Sequence, residues 1–171
     1  MYGGQMMKMH PFRLWLTLVL GFGLAAAAMA QPPPTTSGGS GMALLNLENT
    51  VALHGYDPVA YFTDNEAVRG NKRILERLGG ATYYFASGGN RYEFLRDAPH
   101  YQPQFGGYCA ASMARGRLED INPHLFVIFE GKLYLFNNPE AEAMFNRDPR
   151  RMVYEARQQY FKIATQQRST Y

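Results

Sequence analysis

A chain of 171 residues, 46% hydrophobic and 14% aromatic, has the length and apolar content for one packed core. Its single cysteine, Cys109, excludes an intrachain disulfide, so packing must hold the fold together. With 17 basic and 14 acidic residues it lacks the strongly basic footprint of a nucleic-acid binder, and no nucleic-acid partner is expected.

The first segment carries a targeting pattern. Lys8, His10 and Arg13 precede an apolar run over residues 14–29, which exits through Ala28-Met29-Ala30. A basic start, a short apolar centre and a small-x-small exit read as a secretory signal peptide over residues 1–30. The run is shorter than the ~20 apolar residues a spanning helix needs, so no stable membrane span is expected after cleavage. The protein is therefore expected to be exported, to a periplasmic or extracellular location. Cleavage removes Lys8 and Arg13 and no acid, leaving a net charge of +1. Residues 31–41, QPPPTTSGGSG, have a composition that cannot build a core and read as a flexible linker. Residues 42–171 form the expected single domain.

Asp57-Pro58 reads as a helix start followed by a short turn over 59–62. NKRILERL and ATYYFA around Gly79-Gly80 predict a β-hairpin, with Ile74 and Leu75 breaking strict alternation. Ser87 caps a helix running to about Asp97, which Pro99 is expected to end. Gly106-Gly107 provide turn geometry before Cys109, and CAASMAR from Cys109 to Arg115 predicts a short helix closed by Gly116. LFVIFE and KLYLF around Gly131 predict a second hairpin. Asn138-Pro139 and Asp148-Pro149 open two more helices, the last running over about 149–165. The predicted class is α+β: a small antiparallel sheet built from two hairpins, several short helices and a longer C-terminal helix.

GYDPVAYF (55–62), the YYFAS…N…F…P…Y run within 83–101, PQFGGYCA (103–110) and GKLYLF (131–136) resemble, in order, the longer exported branch of the YHS domain family. The resemblance covers about residues 50–147 and implies a metal-related role at most. The metal-binding version of that family carries cysteines where this chain has Ala60, Ala86 and Asn90. A methyl group cannot bind a soft cation and an amide oxygen is a hard substitute, so the usual thiolate site is chemically missing.

The remaining candidates centre on Cys109. Met113 lies four residues on, on the same helical face, and a thiolate–thioether pair suits Cu(I); the alternative is that both are core fillers. His54 and His100 flank the matched segments, and either could meet Cys109 to coordinate a metal ion or to activate its thiol; the alternative is ordinary surface histidines. His124, after Asn122-Pro123, is the weakest participant. The aromatic residues read chiefly as core. No Ser-His-Asp, HExxH, CxxC or dinucleotide pattern occurs, and no paired-carboxylate site is defensible. Three readings follow. The leading one is a small exported YHS-like binding protein that handles a metal ion, copper in particular, through Cys109, His54, Met113 and His100. The alternatives are an interaction module, with another exported protein as partner, that has lost metal binding, and a thiol-based enzyme or redox protein.

Overall fold

The computed structural model describes residues 44–168, so the signal-peptide and linker readings lie outside the described residues. Within them the architecture is α+β, as expected, and no helix is long and apolar enough to cross a membrane. Strands β3 (Asn71–Leu78) and β4 (Ala81–Phe85) form the first hairpin around Gly79 and Gly80, both at positive φ. Their register slips between Asn71 and Leu75, which is where Ile74 and Leu75 interrupt the alternation. Two short strands escaped sequence reading, β1 (Leu47–Glu48) and β2 (Val51–Ala52). They extend the sheet to the order β1-β2-β4-β3, with β2 parallel to β4 at Val51 and Thr82. The second hairpin, β5 (Asn122–Phe129) and β6 (Lys132–Phe136), forms a separate two-stranded sheet. The two hairpins thus stand in two sheets.

Short helices join these elements: α1 (Ala60–Thr63), α2 (Gly88–Arg96), α3 (Ala98–Tyr101), α4 (Ala110–Ala114) and α5 (Pro139–Arg147), with the long α6 (Pro149–Arg168) last. The caps work as their residue types dictate. Ser87 Oγ accepts from the Asn90 N–H at 3.0 Å, and Asn138 Oδ1 from the Ala141 N–H at 2.8 Å. Pro99 departs from expectation. It does not end α2 but sits in the first turn of α3, capped by Asp97, because proline lacks only an N–H that a first turn leaves unused.

The core is aromatic. Phe136 and Tyr134 of β6 meet Phe145 of α5 at ring separations of 5.1 and 5.0 Å, and Phe85 of β4 meets Phe94 of α2 at 5.2 Å. Helix α4 packs on both α5 and α6, which places Cys109 at its start deep in the fold.

The approach to α4 depends on one glycine. Gly106 has φ +64°, and a Cβ there would overlap the Leu44 carbonyl oxygen. The backbone must pass that close because the Asn46 N–H donates to the Gly106 carbonyl at 2.9 Å. Gly106→Ala is expected to destabilise the domain by about 2 kcal/mol or more, combining αL strain with a backbone overlap, as read by urea denaturation. Gly79→Ala, where a Cβ meets nothing within 4 Å, is expected to cost about 1 kcal/mol.

Candidate functional site

Cys109 is 0% exposed and immediately precedes α4. Its backbone N–H donates to the Glu119 carbonyl at 3.0 Å, and it bridges Leu135 of β6, so three chain segments fix it. Its thiol donates to Asn137 Oδ1 at 3.3 Å. Ser112 Oγ lies 3.3 Å from the sulfur and 2.6 Å from Glu119 Oε2. The hydroxyl has one proton, and the shorter contact with a carboxylate takes it. Asn137 Nδ2 donates to the same Glu119 oxygen at 2.7 Å, while Arg117 Nε meets Glu119 Oε1 at 2.9 Å.

This arrangement has a chemical polarity. With Nδ2 committed to Glu119, Asn137 presents an acceptor to the sulfur, which calls for S–H and not S⁻. A neutral thiol therefore fits the cluster. Thiolate forms, required of a nucleophile or a metal ligand, would need it rearranged.

The other candidates are dispersed. Met113 is fully buried one turn along in α4, and its N–H donates to the carbonyl of Cys109, which caps that helix, at 2.8 Å. His54 Nε2 is 2.8 Å from Asp120 Oδ1. Its position follows from consecutive left-handed residues, Leu53, His54 and Gly55. Burial raises the Asp120 pKa, but hydrogen bonds from Asn46, the Ile121 N–H and His54 outweigh it and hold this carboxyl below its ordinary value. His100 packs its ring on Phe62 and Tyr101, each at 4.7 Å. His124, expected in a turn, lies in β5 and meets the Tyr56 hydroxyl at 3.0 Å. Among the described residues, no group of three or more His, Cys, Asp or Glu could hold a metal ion. His54 lines a polar recess of about 590 Å³ with Arg69, Lys72 and Tyr84; Cys109 and Met113 do not line it.

Two of the three positions that carry cysteines in the resembled family, Ala86 and Asn90, meet Asp57. This carboxylate is 0% exposed. Its Oδ1 accepts from the Val59 N–H at 2.8 Å, and its Oδ2 accepts from the Ala86 N–H and from Asn90 Nδ2, each at 2.7 Å. Asn90 is held in turn by Ser87, whose hydroxyl donates to Asn90 Oδ1 at 3.0 Å. Ala60, the third position, is fully buried at the start of α1. Nearby, Tyr61 donates to the Pro123 carbonyl at 3.0 Å; burial raises its pKa, and Tyr56 and Asp57 add to the effect.

Sequence reading missed Ser112, Glu119 and Asn137 as partners of Cys109. The C-x-x-S spacing on a helix signals Ser112, which falls on the face of the residue three before it. Nothing local signals the other two, which arrive from the following loop and the end of the second hairpin.

Two measurements test these clusters. Asp57→Ala is expected to destabilise by about 4 kcal/mol, since it strips a charged acceptor from three donors. Asp57→Asn should recover less than half of that, because its amide sets N–H against N–H. Glu119→Ala is expected to cost about 2–3 kcal/mol by orphaning Ser112 and Asn137, whereas Arg117→Ala, removing only an exposed pair, should cost under about 1 kcal/mol. Urea denaturation of each variant reads both contrasts. No protein-family model, no curated protein and no solved structure matches this chain.

Proposed function

We propose that this chain is an exported YHS-like interaction module that keeps the family scaffold without thiol or metal chemistry. The observation that carries this reading is the sulfur of Cys109. It is sealed from solvent and faces the acceptor oxygen of Asn137. The usual ligand positions support the same view, since Ala86 and Asn90 are occupied in satisfying Asp57. Ala86 and Asn90 turn N–H groups to that carboxylate, and an N–H is no ligand for a cation.

One observation favours a second reading, copper handling through Cys109 with Met113. The two are soft, one turn apart at the start of α4 and equally buried. That reading needs α4 to open and the thiol to lose its proton.

A Cu(I) titration with a competing chelator separates the two. The proposed function predicts equal, loose binding by the native chain and by Cys109→Ser. It also predicts that Cys109 stays unlabelled by a thiol reagent until denaturant is added. Cys109-dependent tight binding, lost again in Met113→Leu, would establish the copper reading. Rapid native labelling without copper binding would instead favour the thiol-based alternative. Intact-mass measurement of secreted protein tests export, with a mature chain beginning at Gln31 expected.

A further inference from the structure

Helix α6 docks one face on the core through Met152, Ala156 and Ile163. Its opposite face carries what a helix in water has no use for. Tyr154 is 65% exposed and Phe161 is 74% exposed, among the large apolar side chains most open to solvent in the described residues. At ~100° per residue, these two rings lie within about 20° of each other, two turns apart along the crest. The same count places Arg150 and Arg157 on one flank of that crest and Arg151 and Lys162 on the other.

Two of these cations have partners: Arg150 meets Glu130 and Arg151 meets Glu155, each at 2.8 Å. Both arginines are largely exposed, so these pairs are weak and exchangeable. Arg157 and Lys162 are exposed and have no ion-pair partner among the described residues.

We propose that this face of α6 docks on an anionic lipid surface. Rings on a convex crest can sink to the headgroup level, while flanking cations reach lipid phosphates on long apolar stems. A second copy of the chain would set cations against cations. An acidic protein would satisfy the cations, but rings on a convex helix offer little shape to a folded partner. The inference stands whether or not Cys109 binds copper.

A single indole on the crest reads the contact directly. The full chain carrying Trp15→Phe and Phe161→Trp has its only tryptophan there, so anchoring elsewhere leaves the signal unmoved. Its emission is expected to shift to the blue on vesicles of 30% phosphatidylglycerol in phosphatidylcholine, and to return in about 0.5 M salt. Adding Arg157→Ala and Lys162→Ala should lower the partition constant about 25-fold, fivefold per cation, with the thermal midpoint unchanged. An unshifted indole would overturn the proposal. So would an equal shift on neutral phosphatidylcholine vesicles. Poly-glutamate that moves the emission as far as the vesicles do would assign the face to an acidic protein instead.

Discussion

The buried carboxylate of Asp57 sets the geometry on which the first half of the domain depends. Taking a carboxylate out of water is costly unless charge-assisted hydrogen bonds replace its hydration. Here the replacements come from the turn into α1, the end of β4 and the first turn of α2. The Asp57 N–H meanwhile donates to the Val68 carbonyl at 2.9 Å, tying in the chain that leads to β3. One side chain therefore fixes how the first hairpin, α1 and α2 meet. Phe85 and Phe94 can then pack ring against ring, tilted at 57°, behind it.

This also accounts for what stands at the positions where the resembled family has cysteines. A metal held there would draw β4, α2 and the α1 turn together. Asp57 performs the same joining with hydrogen bonds, and Asn90 is the residue that makes it work. Its amide supplies a donor to the carboxylate, while its Oδ1 and N–H are both occupied by Ser87. An alanine at Asn90 would leave Asp57 one donor short. On this argument the junction is complete as a hydrogen-bonded one.

What could be read from the sequence was what the chain encodes locally. Ser87, Asn138 and Asp148 cap helices because their short polar side chains reach back to N–H groups two or three residues ahead. Gly131 and the runs around it announce the second hairpin by alternation and turn chemistry. Pro99 is ambiguous in the sequence because proline signals both a stop and a start, and only the Asp97 cap beside it decides between them. Strands β1 and β2, each two residues long, are too short to carry a period. The partners of Cys109 lay beyond reach for a different reason. Glu119 and Asn137 come from separate segments, and their convergence is a property of packing that no spacing records.

The lone cysteine then has an explanation that needs no reactivity. Its site requires a side chain of limited volume between α4 and β6, with one weak donor aimed at Asn137 Oδ1. Alanine would leave that oxygen without its donor. Serine would supply a stronger donor but a smaller atom, leaving a gap in a core where voids forfeit contact energy. Sulfur meets both demands, being large, polarisable and content with a long hydrogen bond. The presence of Cys109 is thus as well explained by packing beside a half-buried amide as by any chemistry. Only the protonation state that the cluster favours, S–H facing an acceptor, separates the two.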